Sequence, residues 1–258
     1  MLIDAHCHLD DAQFANDLDD VIARAQNAGI QAMITAGVNV ESSRAAVALA
    51  ERFSRVYAVV GIHPQYAGTC NPENLKAIRE LALHRKVVGI GEIGLDFYWA
   101  DNPPRETQER NFIAHLDLAA ELGKPVVIHN RNADQALMEI LRRRNGKPRG
   151  ILHCFSGDLA MARQAIDLGF LISFAGNVAF KNAQSLQAIA QALPLEKIVI
   201  ETDSPYLSPI RGKRNESANV THVAAKIAEL KKLESALIAQ TMTRNSATLF
   251  GLEISEDF

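Results

Sequence analysis

The sequence contains few cysteines and no long apolar run, and each shortage excludes a class of protein. Three cysteines in 258 residues are too few for a small disulfide-stabilised domain, and their odd number fits a reducing compartment. No apolar run approaches the roughly 18–20 residues that span a bilayer. Residues 1–6 lack the basic start and the apolar core of a signal peptide. We therefore expect a cytoplasmic protein that has no membrane association and needs no obligate protein partner.

The chain also lacks an excess of either charge. Lysine and arginine number 27 and the acidic residues number 30, for a net charge of −3, which excludes a generic nucleic-acid coat. Any contact with a polyanion must then come from a local patch. Hydrophobic residues make up 48% of the chain and charged residues 22%, which excludes a disordered segment. A chain of this length can bury about 70–75% of its unfolded surface, so we expect one domain over residues 1–258.

Short β-branched apolar runs alternate with amphipathic stretches from one end of the chain to the other. The runs are too short for helices and lack strict alternation, which is typical of strands buried on both faces of a parallel sheet. The predicted strands are 2–5, 32–36, 57–62, 87–90, 125–128, 151–152, 170–174 and 197–200. The predicted helices are 17–28, 41–53, 72–83, 105–122, 133–144, 159–168, 183–192, 219–232 and 234–250.

Eight strand–helix units in this length favour a (β/α)8 TIM barrel. The same alternation could build an open doubly wound sheet. However, no G-x-G-x-x-G motif follows the first strand, and eight evenly spaced strands suit a closed sheet better. In a barrel, the active site forms at the carboxyl ends of the strands.

Histidines and carboxylates collect at these predicted strand ends. The first strand ends D-A-H-C-H, and the alternation of side chains along a strand places both of its histidines on one face and Cys7 on the other. Five of the eight histidines lie within a residue or two of a strand end: His6, His8, His63, His129 and His153. Glu92 and Asp203 follow strands four and eight. Histidines scattered by chance would not collect on one rim, so the pattern predicts a shared metal centre.

These motifs resemble those of the TatD-like metal-dependent hydrolases, which belong to the amidohydrolase superfamily. The resemblance covers essentially the whole chain and keeps the order of the family's motifs. They are D-A-H-C-H-L-D at 4–10, G-I-H-P at 61–64, G-E-I-G-L-D-F-Y at 91–98, G-K-P-V-V-I-H-N-R at 123–131, L-H-C-F-S-G at 152–157, E-T-D-S-P-Y-L at 201–207 and R-G-K-R-N-E at 211–216. The resemblance implies a slightly distorted TIM barrel that holds two, occasionally three, divalent ions.

The resemblance also implies a ligand set, carried over residue by residue. The first ion would have four ligands, His6, His8, Glu92 and Asp203. The second would have three, Glu92, His129 and His153, so that Glu92 bridges the two ions. Related superfamily enzymes use a carbamylated lysine on strand four, but no lysine follows Val87 in this strand. Four imidazoles favour zinc, manganese or iron, whereas phosphodiester hydrolysis often runs on magnesium, which leaves the identity of the ions open.

The expected chemistry follows from these charges. Two divalent ions lower the pKa of a shared water and neutralise charge that develops on a phosphodiester. Asp203 would accept the remaining proton and pass it to the leaving group. Alternatively, Asp203 followed by Ser204 and Pro205 could cap a helix. The carboxylates of Asp4 and Glu201 could orient metal-bound imidazoles or bind backbone and buried water.

A basic run after strand eight predicts contact with a phosphate. Arg211, Lys213 and Arg214 place three positive charges within four residues, close to Asp203. Phosphate sites in barrels favour the loops after strands seven and eight. The alternative is a solvated loop, the usual state of such runs. Ser217 stands where many relatives have proline, which leaves the shape of this loop open.

Two further substrate contacts are predicted, at Arg131 and His63. More than one function remains open for the site that they would serve. Arg131 shares the side-chain parity of His129 and could clamp a phosphate oxygen. His63 lies at the rim but outside the implied ligand set, so we predict a substrate contact. The leading hypothesis, which the family resemblance implies and the basic residues at the rim permit, is a metal-dependent, exonuclease-like deoxyribonuclease with DNA as its partner. The alternatives are an acyl hydrolase, such as a D-aminoacyl-tRNA deacylase, and a non-catalytic scaffold stabilised by metal.

Overall fold

The protein, described here as a computed structural model over residues 1–253, consists of alternating strands and helices. The strands are β1 Leu2–Cys7, β2 Ile30–Ala36, β3 Val56–Val60, β4 Val87–Asp96, β5 Val126–Arg131, β6 Gly150–Leu152, β7 Leu171–Phe174 and β8 Ile198–Ile200. The helices are α1 Leu18–Asn27, α2 Val40–Arg52, α3 Pro72–Ala82, α4 Arg105–Leu122, α5 Asp134–Arg143, α6 Leu159–Asp167, α7 Gln184–Ala192, α8 Val220–Lys231 and α9 Ser235–Phe250. Short 3-10 helices cover Ala12–Phe14, Pro64–Thr69, Gly176–Ala179, Leu195–Lys197 and Ser217–Asn219.

The eight strands form one parallel sheet in sequence order, which confirms the predicted (β/α)8 barrel. Within the described residues, β1 and β8 share no continuous ladder. The barrel is instead closed at its mouth, where the amide of His8 donates to the carbonyl of Ser204 at 2.8 Å. The amide of Asp203 donates to the carbonyl of His6 at 3.0 Å. The seam of the barrel therefore passes directly through the predicted metal ligands.

Two apolar layers hold the barrel together. A cluster with side chains from six strands, including Ile34, Val127 and Val199, fills the interior, because residues on opposite sides of a closed sheet can meet only inside it. Phe250 and Leu252, at the end of the chain's last helix, pack against this cluster. A larger cluster lies between the sheet and the surrounding helices. Both layers are almost entirely buried, so the strand ends project from a rigid base.

Local sequence signals explain where several helices begin. Asn39 accepts a hydrogen bond from the amide of Ser42, whose side chain reaches back to form a capping box at the start of α2. Asn71 caps α3, where Pro72 occupies the first helical position. Asp158 caps α6 through the amide of Met161. Among the helices of residues 1–253, none combines the length and the apolar composition of a membrane span.

Strand β4 is longer than the sequence predicts, and this extension matters for the site. It continues past Ile90 to Asp96 because it stays paired with β5, with Gly94 opposite His129. Gly94 has a φ of 138°, and a Cβ atom there would lie 2.0 Å from the carbonyl oxygen of His129. Only glycine permits this approach. Glu92 consequently lies within a strand rather than in a loop after one.

Candidate metal centre

The predicted ligands meet around one buried carboxylate at the carboxyl ends of the strands. Glu92, on β4, is 3% exposed and presents its two oxygens to different groups of side chains. Oε2 faces the side chains that project from the end of β1, and Oε1 faces those from β3, β5 and β6. The structure thus brings together all six residues of the implied ligand set.

The first group has nearly equal separations between its donor atoms. Nε2 of His6 and Nε2 of His8 are 3.1 Å apart. Each lies 3.5–3.6 Å from Oε2 of Glu92 and from Oδ1 of Asp203. Tetrahedral zinc with ligand bonds near 2.0–2.1 Å requires ligand atoms about 3.3–3.4 Å apart. The donor atoms of this group therefore fit a divalent ion.

The second group meets the other oxygen of Glu92. Nδ1 of His129 and Nε2 of His153 both lie 3.0 Å from Oε1, and they are 3.4 Å from each other. These separations also suit three ligands of one ion. Imidazole nitrogens and a carboxylate are donors that zinc, manganese and iron all accept. The residues present fit two divalent ions that share Glu92.

His63 lies deeper in the site than the sequence suggests. It is 6% exposed, and its Nε2 is 3.4 Å from Oε1 of Glu92. Its Nδ1 accepts a hydrogen bond from the amide of Gln65 at 3.2 Å, which leaves Nε2 facing the carboxylate. Donor atoms of His63, Glu92 and His129 come close enough together to hold an ion. The side chain also lines the cleft, so this position could equally meet a substrate.

Carboxylates behind the ligands orient two of the imidazoles. Oε1 of Glu201 lies 3.1 Å from Nδ1 of His153, and Oδ2 of Asp96 lies 3.3 Å from Nε2 of His129. Ligand histidines commonly donate their second N–H to such a carboxylate. Asp4 does not take this role, because its two oxygens accept hydrogen bonds from the amide and hydroxyl of Thr202. The sequence allows each of these two carboxylates either to contact an imidazole or to bind backbone. Glu201 contacts an imidazole, whereas Asp4 binds the backbone and the hydroxyl of Thr202.

The charges in the site keep the central carboxylate ionised. Burial raises the pKa of Glu92, but the imidazoles of His153 and His63 and the hydrogen bond from His129 more than offset it. The pKa of Glu92 therefore lies well below its ordinary value. Burial dominates at His6, with a further contribution from the neighbouring imidazole of His153, and the pKa of His6 falls well below its ordinary value. The carboxylates have the opposite effect on His153, where burial lowers the pKa but Glu92 and Glu201 raise it well above its ordinary value. Metal binds an anionic carboxylate and a neutral imidazole, so an ion at this site would displace a proton from His153.

The segment that carries Asp203 is tightly held. Asp203 has a φ of 54°, a left-handed conformation that is uncommon for residues other than glycine and tends to occur at functional sites. No helix begins within the next ten residues, so Asp203 does not cap a helix. The side-chain amide of Asn215 donates to the carbonyls of Thr202 and Tyr206, at 2.8 and 2.7 Å, and clamps the segment from both sides. Nothing in the sequence alone shows this contact.

A cleft of about 740 Å³ opens above the two donor groups. Its floor includes Glu92, His129 and Asp203, and its walls include Arg131 and Trp99. The side chain of Asp203 is 15% exposed, against 4% for Glu92. The cleft therefore exposes Asp203 to a bound molecule more than the bridging carboxylate.

The predicted basic contacts occupy different positions. Arg131 lies at the cleft, where its guanidinium is 3.8 Å from the ring centroid of Tyr98. Arg214 forms two hydrogen bonds with Asp17, at 2.6 and 2.9 Å, so it joins the loop to α1. Arg211 and Lys213 are exposed, and within residues 1–253 their side chains form no ion pair. Arg131 therefore lies at the cleft, whereas the guanidinium of Arg214 is bound to Asp17.

Sequence reasoning missed the supporting role of Asp96 and the aromatic rim of the cleft. Asp96 was visible in the G-L-D motif, but its contact with His129 depends on the extension of β4. Tyr66, Trp99 and Tyr206 all line the cleft with exposed rings. Each lies shortly after a different strand end in the sequence, which was the available signal.

A parallel barrel with shared carboxylate and imidazole ligands at its mouth defines a metal-dependent hydrolase. The sequence model for "TatD related DNase" matches residues 3–251, and the chain belongs to this family. It is 39% identical over 253 residues to an uncharacterized metal-dependent hydrolase, YabD, from Bacillus subtilis, covering 97% of this chain and 99% of that one. It is 37% identical to the 3'-5' ssDNA/RNA exonuclease TatD of Shigella flexneri, covering 97% and 99%. The crystal structure of YJJV, a TatD homologue from Escherichia coli K12, superposes with a TM-score of 0.91 at 31% identity, covering 98% of both chains.

Proposed function

We propose that this enzyme is an exonuclease-like nuclease that hydrolyses phosphodiester bonds of DNA with two divalent ions held around Glu92. The observation that carries the proposal is the convergence of imidazole and carboxylate donors on both oxygens of Glu92, at the floor of an open cleft. Within residues 1–253 the guanidinium of Arg131 forms no ion pair, and at the cleft it could bind a phosphate. The named activity of the Shigella flexneri relative, a 3'-5' ssDNA/RNA exonuclease, supports the same substrate class.

Each group of ligands would hold one ion. The first would be held by His6, His8, Glu92 and Asp203, and the second by Glu92, His129 and His153. When bound, divalent ions supply an acidified water and neutralise the charge that develops on a phosphate. We propose manganese or zinc, which imidazole donors favour, or magnesium, on which phosphodiester hydrolysis often runs.

The side chains of the site would divide the remaining work. Glu92 keeps a negative charge between the two groups, because the surrounding imidazoles hold its pKa low. Asp203 is the more exposed carboxylate, so it would take a proton from the attacking water and return it to the leaving oxygen. Arg131 would bind a non-bridging phosphate oxygen and fix the scissile bond over the floor. His63 would contact either the substrate or an ion.

A substrate panel tests the proposed reaction. The purified enzyme, freed of metal and supplied with magnesium, manganese or zinc in turn, is incubated with single-stranded DNA, duplex DNA and RNA labelled at either end. We expect stepwise shortening of single-stranded DNA, and we expect Asp203→Asn to slow it by about 10²-fold or more while the protein stays folded. A uniform failure to cleave any nucleic acid, with every ion, would contradict the proposal.

The same panel separates the alternative functions. A D-aminoacyl-tRNA is included, since the same site could direct water to a carbonyl. Release of the aminoacyl group without cleavage of any nucleic acid would make the enzyme an acyl hydrolase. Tight metal binding without turnover of either substrate would make the protein a scaffold.

A further inference from the structure

The exposed aromatic side chains of the described chain gather at one place. Among residues 1–253, four aromatic rings are 40–50% exposed, and they are Tyr66, Tyr98, Trp99 and Tyr206. Three of them line the cleft, and Tyr98 contacts Trp99 directly. Single exposed apolar residues are normal on a protein surface, but a set confined to the rim of one cleft indicates a binding surface.

Two of these rings form a compact cluster with a cation. The rings of Tyr98 and Trp99 are 4.8 Å apart at their centroids and nearly perpendicular, at 86°. The guanidinium of Arg131 lies 3.8 Å from the centroid of Tyr98 and 5.1 Å from that of Trp99. Arg131 thus holds both rings by cation–π contacts. We call Tyr98, Trp99 and Arg131 the aromatic cluster.

The cluster is fixed to the metal centre by its backbone. The carboxylate of Asp96, which contacts His129, also accepts a hydrogen bond from the amide of Tyr98 at 3.0 Å. The side chain of Asn102 donates to the carbonyl of Asp96 at 3.0 Å and closes the turn. The side chain of Gln108 binds both the amide and the carbonyl of Asp96. The two exposed rings therefore sit on a braced turn, at a set position relative to the ligands.

We propose that the aromatic cluster is a subsite that stacks an unpaired nucleobase of the substrate, next to the phosphate held over the metal centre. The inference rests on the proposed function, and it adds the part of the substrate that the cluster recognises. Every base has a π-face, so stacking on a tyrosine or tryptophan ring is tolerant of sequence. Arg131 supplies a positive charge beside the stacked base, where the phosphate backbone must pass.

The geometry also selects the kind of strand. In a duplex both faces of an internal base are covered by its neighbours, so an aromatic ring can stack only on a base that is unpaired or at an end. A subsite of this kind would make single strands and frayed ends the preferred substrates. If the two rings only shielded Arg131 from water, the enzyme would show no preference for single strands over duplexes.

The chain offers a direct probe, because Trp99 is its only tryptophan. A short phosphorothioate oligothymidylate is titrated into the wild-type enzyme in magnesium, and the emission of Trp99 is recorded. We expect quenching by this oligomer and none by an oligomer with the same backbone but abasic positions at its 3' end. Equal responses to the two oligomers, or no response to either, would overturn the stacking subsite.

Variants measure what the stack contributes to binding. By fluorescence anisotropy of labelled oligomers, Trp99→Ala is expected to weaken binding of the base-containing oligomer between about fivefold and about 150-fold. It should leave the abasic oligomer unchanged, and Trp99→Phe should restore most of the loss. Leu83→Ala, at an exposed apolar residue that ends α3, is the matched control and should bind both oligomers like wild type. Equal weakening of both oligomers by Trp99→Ala would contradict the proposal.

Hydrolysis is scored separately, so that the two proposals can fail independently. Cleavage of single-stranded DNA with no difference between base-containing and abasic oligomers would overturn the subsite and leave the nuclease function standing. Base-dependent quenching in an enzyme that cleaves no nucleic acid would overturn the nuclease function and leave the subsite standing.

Discussion

The carboxylate of Glu201 lies 3.1 Å from Nδ1 of His153, on the side of the ring that faces away from Glu92. Nε2 of the same ring lies 3.0 Å from Oε1 of Glu92. A proton on Nδ1 can be donated to Glu201, which leaves the lone pair of Nε2 directed at the metal centre. Glu201 itself is held by the amide of Cys154 at 2.7 Å and by the hydroxyl of Ser173.

Replacing Glu201 should therefore weaken metal binding, although Glu201 lies outside the implied ligand set. We expect Glu201→Gln to lower metal affinity by about 10–100-fold, because the amide is a poorer acceptor and no longer enforces the ring orientation. Competition with a chelator measures the affinity. Ser173→Ala, which removes one donor to Glu201 but keeps the carboxylate, is the control and should lose less. Wild-type affinity in Glu201→Gln would show that the carboxylate serves only to support the fold.

In the proposed arrangement Glu92 is the ligand that both donor groups share, so its loss should be more severe than the loss of any one histidine. Glu92→Ala is expected to remove both ions and all activity, whereas His129→Ala should retain metal at the group around His6 and His8. Elemental analysis after gel filtration gives the bound metal. His222→Ala, at an exposed position on α8, should keep the full complement. Full metal occupancy in Glu92→Ala would refute the shared site.

Asp203→Asn separates metal binding from proton transfer. The amide keeps an oxygen donor but loses the basic site, so bound metal should persist while turnover falls by about 10²-fold or more. Asparagine also tolerates the left-handed backbone at this position, where φ is 54°. Single-turnover hydrolysis and metal analysis on the same sample check the result. A wild-type rate would remove Asp203 from the proton transfer.

The ligand cluster was predictable because position along a barrel strand determines position at the barrel mouth. His6 and Asp203 are almost two hundred residues apart, yet His6 lies near the end of β1 and Asp203 just beyond the end of β8, and parallel closure brings all strand ends to one rim. The alternation of side chains along a strand was enough to pair His6 with His8 and to point Cys7 away from them, into the layer between the sheet and the helices. The resemblance to a known family then assigned the ligands.

Contacts that depend on loop paths were not predictable. Arg214 and Asp17 carry opposite charges in segments far apart in sequence, and no local pattern distinguishes an ion pair between them from a solvated loop. The β4 extension was missed because Gly91 and Gly94 interrupt its apolar run, although close approach to β5 requires them. The contact of Asp96 with His129 follows only once that extension is known.

The three basic residues after β8 fall into two groups, and their replacement should have different effects. Arg211 and Lys213 are exposed, whereas Arg214 is bound to Asp17. Arg211→Ala and Lys213→Ala should each flatten the salt dependence of DNA binding, by about 0.7–0.9 in the log–log slope for each phosphate that the variant no longer neutralises. Arg214→Ala should instead lower the thermal midpoint, because it removes the link to Asp17. Salt titrations of binding and thermal melts distinguish the two effects. An unchanged slope in Arg211→Ala and Lys213→Ala would make that part of the run a solvated surface.

His115 is a buried histidine that does not line the cleft, and it should make the stability of the fold depend on pH. Its Nδ1 donates to the carbonyl of Asn111 at 2.8 Å, one turn earlier in α4, and within residues 1–253 its Nε2 has no hydrogen-bond partner. Burial lowers the pKa of His115 from 6.5 to about 4. The unfolded chain therefore takes up a proton at a higher pH than the folded chain does. The contribution of the neutral His115 imidazole to the stability of the fold is fully present above pH 6.5 and is lost as the pH falls from there through 4.

The size of the effect follows from the two pKa values. Between about pH 7 and pH 5 the contribution of His115 to the free energy of unfolding should fall by about 2 kcal/mol. His115→Gln cannot take up this proton, so its free energy of unfolding should decline less steeply than that of wild type over the same interval. Urea denaturation followed by circular dichroism at each pH gives the two curves, and His222→Gln, at an exposed histidine, is the control. Parallel curves for wild type and His115→Gln would show that the buried imidazole does not couple folding to protonation.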